Sequence, residues 1–275
     1  MANFKLQKKI EAYFDEVIPE DLLLKMNEFV LDIGTVNRDT LEDEIEERLI
    51  NSLVDEFSYR LQLLKTDAGK TLSGISIETT DNGKLQLFAY YLLNGMLPWY
   101  ADTHQKFSVD GLFQQLYTTN RPALKLIIEK QAKYPNVRQR IAFQFSETTI
   151  QQIINTIEPS ASAYIFKTQK KIIQVQQEKQ IVQASGEDFE KNLWLFILNY
   201  LFVEMSSRFQ EKMFIKSSLV QIAARYSIHY QHLLHSFYEV LKDVKKDDAF
   251  QPLKAAVYEL FTDETKSFTE QKNAP

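Results

Sequence analysis

Apolar residues recur at helical spacing along most of this chain, and the clearest run is Leu85 to Tyr100, LQLFAYYLLNGMLPWY. Leu85, Phe88, Ala89, Leu92 and Leu93 trace one buried stripe of a helix. Gly95 follows where helices tend to end in a left-handed residue, a conformation glycine adopts without strain. Pro98 stops the helix from resuming, and Trp99 comes directly after it. The stretch predicts a helix that ends in a defined corner, with Trp99 buried between the helical halves of its unit. The glycine, proline and tryptophan that make the corner supply no acid, base or nucleophile.

Upstream, Phe4, Ile10, Tyr13 and Phe14 pattern a short helix broken by Pro19, and Leu22, Leu23, Met26, Phe29 and Val30 pattern another over Glu20–Ile33. Gly34 marks a joint. Asp39 or Thr40 then caps a long helix, with Glu42, Asp43 and Glu44 at its positive end and Leu41, Ile45, Leu49, Leu53 and Phe57 in steps of four. Thr66–Lys84 reads as a loop with room for a short extended piece. After the corner, short helices over Ser108–Tyr117, Arg121–Tyr134, Val137–Phe145 and Ser146–Ile157 are separated by caps and prolines. Ala161–Val182 is rich in Gln and Lys and is expected to bridge solvent, ending at Gly186. Three further helices fill Glu187–Leu241, and the last covers Pro252–Phe261.

The expected fold is all-α: an array of short amphipathic helices in two packed units, with a longer N-terminal helix. Its expected parts are N-terminal helices (1–65), a loop or linker (66–84), a helical unit with the corner (85–160), a polar linking helix (161–186), a C-terminal helical unit (187–262) and a disordered tail (263–275).

Composition supports helices and narrows the chemistry. Only seven Gly and seven Pro occur in 275 residues, and there is no cysteine, which removes disulfides and thiolate chemistry. No secretory leader is read at the N-terminus, and the apolar run Leu193–Val203 is too short to span a bilayer. A soluble cytoplasmic protein without membrane insertion is expected. Charge is uneven: residues 1–65 hold fifteen acids against eight bases, and residues 121–183 hold ten bases against four acids. Such asymmetry fits solvated helix faces or two complementary surfaces, within one chain or between copies.

Candidate chemistry is sparse. Ala68–Thr71 reads AGKT, but position 64 is Leu where a phosphate-binding loop needs Gly, and no strand or helix flanks it correctly. His229, His232 and His235 follow one another at three-residue steps, so two of them can share a metal, yet further ligands are missing. His104 stands without an acid or nucleophile partner. Lys125, Lys130, Lys133, Arg138 and Arg140 make a basic middle in an acidic chain that lacks any nucleic-acid-binding motif. The reading is therefore no catalytic residue, no metal, no cofactor and no nucleic acid.

The corner YLLNGMLPWY resembles the L-x-x-G-x-L-P-W-aromatic signature of tape measure proteins of contractile injection systems, particles in which a sheath contracts around an inner tube. Asn94 and Tyr100 stand where that family often has Thr and a second Trp. VRQRIAFQFSETTIQQIINTIEP is similar to the block that follows the corner in the family, LDIGTVNRDTLEDEIEERL to its opening, and the stretch from Leu193 to Leu234 to versions from Bacteroidota-type particles. The resemblance implies a non-enzymatic structural protein whose partners are tube, cap or baseplate proteins and possibly itself, either free in the cytoplasm or incorporated in an assembled particle. It places the family's signature at Leu92, Gly95, Leu97, Pro98, Trp99 and Tyr100. Many members are longer and repeat the glycine-proline-tryptophan unit, which occurs once here. Fully helical, 275 residues extend roughly 410 Å, and short packed helices reach far less. The residues thus favour a compact adaptor or assembly factor over a ruler. A helical cargo chaperone or regulatory binding module is the reading of a different class.

Overall fold

The computed structural model describes residues 2–18, 22–26, 30–35, 41–66, 75–98, 101, 107–242 and 251–272. The fold is all-α with one short ribbon, and the chain divides into two compact units, 1–86 and 87–275.

In the first unit, α1 (Ala2–Val17) packs on α2 (Leu41–Thr66). Phe14 meets Phe57 edge-on at 4.9 Å between ring centroids, and the Tyr13 hydroxyl donates to the Val54 carbonyl at 3.4 Å. The Gly34 joint is tied to α2 from both sides. Ser52 Oγ donates to the Asp32 carbonyl (2.7 Å), and Arg48 donates to the Thr35 carbonyl (2.9 Å). Gly34 itself sits at φ +66°, which suits a residue without Cβ. The expected caps Asp39 and Thr40, and the AGKT stretch, lie outside the described residues.

Two expectations fail in this unit. Leu22–Met26 is not helical but a strand, β1, paired antiparallel with β2 (Ile75–Thr79) in the register Leu22↔Thr79, Leu24↔Ile77 and Met26↔Ile75. Leu22, Leu24 and Met26 alternate as well as they follow a helical step, so periodicity alone left the assignment open and the partner strand decided it. The second is the extent of the expected loop over 66–84: β2 is the short extended piece foreseen there, but α3 (Thr80–Asn94) already begins at Thr80.

Among the described residues the second unit packs nine further helices: α4 (Val109–Thr119), α5 (Arg121–Gln131), α6 (Pro135–Gln144), α7 (Glu147–Ile157), α8 (Ser162–Lys179), α9 (Gly186–Asn199), α10 (Glu211–Arg225), α11 (Tyr230–Lys242) and α12 (Gln251–Lys272). The starts follow from local chemistry. Ser108, Asn120 and Ser146 each accept a backbone N–H from the first turn of the helix they precede, as their sequence positions predict. Ser185 does the same for α9, so Gly186 opens a helix rather than closing one, and α8 instead ends at Gln180 with φ +48°. Phe88, Phe113, Ile141, Phe214 and Phe237 are almost completely buried.

α8 does not bridge solvent. Ile165, Ile172 and Val175 are buried, and the Gln176 amide exchanges two hydrogen bonds with the Val182 backbone. Its Gln and Lys residues share a helix with a core-facing stripe. Nor does order stop at Asp263. α12 continues to Lys272, with Lys212 of α10 between Glu259 (3.5 Å) and Asp263 (2.6 Å) and Lys216 facing Glu264 (4.0 Å). The polar composition that suggested a loose tail is the acidic face of a docked helix.

α9 closes in a π-helical turn, Tyr200–Glu204, and the Tyr200 hydroxyl both donates to the carbonyl and accepts the N–H of Gln210. Three other phenols are pushed up to about 12 from 10.0, chiefly by burial: Tyr164, with Glu211 adding; Tyr226, which also donates to Asp188; and Tyr230, with Glu264 adding. A raised phenol favours the folded state while neutral, so this stability is complete below the unfolded value of 10 and is lost as pH climbs through about 12. The melting temperature should fall steeply between these limits, together with a late rise in tyrosinate absorbance. A flat melting curve across that window would contradict the burial of these rings.

Candidate interaction site at the helix corner

The end of α3 leaves carbonyls without helical partners, and α6 supplies the donors. Its residues 136, 140 and 144 fall at four-residue steps on one face. Asn136 Nδ2 donates to the Leu93 carbonyl at 3.1 Å, and Arg140 Nη1 donates to the Leu92 carbonyl. Gln144 Oε1 accepts from the Tyr91 hydroxyl at 2.9 Å. A guanidinium at the negative end of a helix dipole is also electrostatically favoured.

Gly95 is the backbone condition for this cap. Its N–H closes the helix on the Tyr91 carbonyl (2.8 Å), and its φ is +75°. A Cβ added there would sit 2.7 Å from Arg140 Nη2 and 2.9 Å from Arg140 Nε. Glycine is thus required twice, by the left-handed turn and by the guanidinium that lies over it.

The opposite face of α6 is anchored by Arg138, only 6% exposed. Its Nε donates to Asn199 Oδ1 (2.6 Å), and its Nη1 to the carbonyls of Ala132 and Lys133 (both 2.8 Å) at the end of α5. Asn199 in turn donates to Gln221 of α10 at 2.7 Å. One ten-residue helix therefore grips the corner with one arginine and α5, α9 and, through Asn199, α10 with the other.

Of the six signature residues, Leu92 and Pro98 are buried, Leu97 is half-buried and Gly95 lies under Arg140. Trp99 and Tyr100 lie outside the described residues, and so does the expected burial of Trp99. Around the corner Tyr90 (37%), Leu93 (40%) and Met96 (64%) are exposed. Periodicity drew Leu93 into the buried stripe; the structure leaves it at the surface. Sequence reasoning missed Asn136 and Gln144, and read Arg138 and Arg140 as part of a basic patch. The signal for their real work was the polar spacing of 136, 140 and 144.

The other candidate chemistry stays apart. His229 and His232 are exposed with ring centroids 5.5 Å apart, while His235 stacks on Phe261 of α12. Among the described residues no group of three or more His, Cys, Asp or Glu side chains is placed to hold a metal ion, and no helix is long and apolar enough to cross a membrane. His104 lies outside the described residues.

The family model described as contractile injection system tape measure protein matches residues 1–275. No curated protein and no solved structure matches the chain.

Proposed function

The chain belongs to the contractile injection system tape measure protein family, and from that premise we propose that it is an assembly factor at the tube, cap or baseplate of such a particle. The full-length family match carries this reading. It works through surfaces rather than catalysis, with the corner around Gly95 as a fixed element on which Tyr90, Leu93 and Met96 are displayed.

The architecture favours an adaptor over a single-chain ruler. The longest described helix, α2, has 26 residues and spans about 39 Å. The helices of residues 87–275 fold back on one another instead of extending. Deleting the gene is expected to abolish particles or to change tube length in electron micrographs. Loss of tubes marks an assembly role, and tubes of altered length mark length control. Normal particles of normal length would overturn the proposal.

A further inference from the structure

Part of the uneven charge of the sequence falls on two helix stripes. Glu44 pairs with Arg48, Lys125 pairs with Glu129, and Arg138 and Arg140 are used inside the helix array. On α2, Glu47, Asn51 and Asp55 succeed one another at four-residue steps, all exposed, on the side away from buried Leu53 and Phe57. Tyr59, 60% exposed, extends that stripe by a further step. On α5, Pro122, Leu126 and Lys130 succeed one another in the same way, away from buried Leu124 and Ile128, and exposed Lys133 and Tyr134 follow. Leu126 is 67% exposed, high for a leucine beside two cations. Among the described residues Glu47, Asp55, Lys130 and Lys133 take part in no ion pair.

We propose that these stripes are the two halves of one contact between copies of this chain, with α2 of one copy lying along α5 of the next. Three features fit. The charges are opposite, within segments that are themselves strongly acidic (1–65) and basic (121–183). The stripes match in length: Glu47 to Asp55 and Pro122 to Lys130 are each nine residues, about 12 Å of helix from first to last. Each also carries exposed apolar surface, Tyr59 on one and Leu126 and Tyr134 on the other, to be removed from water on contact.

Pairing either stripe with itself brings like charges together, so each stripe pairs with the other kind. Made reciprocally by two copies, this contact closes a two-fold dimer; made once per pair, it leaves one stripe free at each end and extends as a row or closes as a ring. Charge sets the orientation and speeds encounter, and the apolar residues hold the contact. The inference does not rest on the particle role and is tested on purified protein.

Sedimentation of the full-length chain should show concentration-dependent association that weakens as salt rises. Lys130→Glu with Lys133→Glu, and separately Glu47→Lys with Asp55→Lys, should each weaken it about tenfold or more. An equimolar mixture of the two variants should recover it, because each then offers the other an opposite charge. All four positions are exposed, so circular dichroism should be unchanged. If either reversal disturbs folding, Lys130→Gln with Lys133→Gln and Glu47→Gln with Asp55→Asn give the same comparison, and on mixing they should form only the one intact contact, α2 of the lysine variant with α5 of the acid variant. A wild-type chain that stays monomeric at every concentration overturns the inference. Folded variants that associate like wild type, or reversed variants that stay apart when mixed, do the same.

Discussion

Replacing Arg138 with methionine is expected to destabilise the unit formed by residues 87–275 by about 3 kcal/mol. The cost lies in what the arginine leaves behind. Two carbonyls at the end of α5 and the Asn199 oxygen all take their donors from this one guanidinium, in a site only 6% exposed. Methionine fills much of the volume and offers no donor, so all three acceptors lose this partner, and the Ala132 carbonyl loses it in a buried setting. Arg138→Lys should recover part of the loss, since a single ammonium cannot serve three acceptors set by a planar fork. Lys133→Met, at an exposed position nearby, should change stability by no more than about 0.5 kcal/mol. Urea unfolding midpoints separate the three. A loss below about 1 kcal/mol for Arg138→Met would show that the hydrogen-bond network is not what holds α6 in place.

Gly95→Val is expected to cost a similar amount, about 3 kcal/mol, from two sources. Left-handed backbone is costly for any residue with a Cβ and worst for a branched one. The new Cβ would also push Arg140 off the Leu92 carbonyl, because it would lie 2.7 Å from Nη2. Gly95→Ala should cost about 2 kcal/mol. The sources separate in a double-mutant cycle. With Arg140→Ala in place the steric part disappears, and Gly95→Val should cost about 1 kcal/mol less than in the wild-type background. Equal costs in both backgrounds would remove Arg140 from the explanation.

These two residues show what was legible in the sequence. Gly95 announced itself, because a glycine after the last periodic residue and before a proline has few other uses. Its partner did not, because Arg140 lies forty-five residues on, and the polar spacing of 136, 140 and 144 marks a helix face without saying which carbonyls that face caps. The serine and asparagine caps at 108, 120 and 146 were readable for the same reason as Gly95: their chemistry is completed within four residues. Leu22–Met26 was misread because its strand partner lies about fifty residues away. The end of α12 was misread because Asp263 and Glu264 look like tail composition until Lys212 and Lys216 are placed opposite them. Features closed within one helical turn were visible, and features closed across the fold were not.

The two arginines of α6 also limit how that segment can change. They stand two residues apart, which is 200° around a helix axis at 100° per residue, and each is fixed to a different neighbour. Substitution can be absorbed at many positions, since Gln139 between them is exposed. A change of length cannot. One residue added or lost between 138 and 140 turns everything beyond it by 100°, so whichever arginine keeps its partner, the other loses its own. The segment from Arg138 to Arg140 sets the rotational phase of the corner against the rest of residues 87–275, and its length is the quantity that cannot drift.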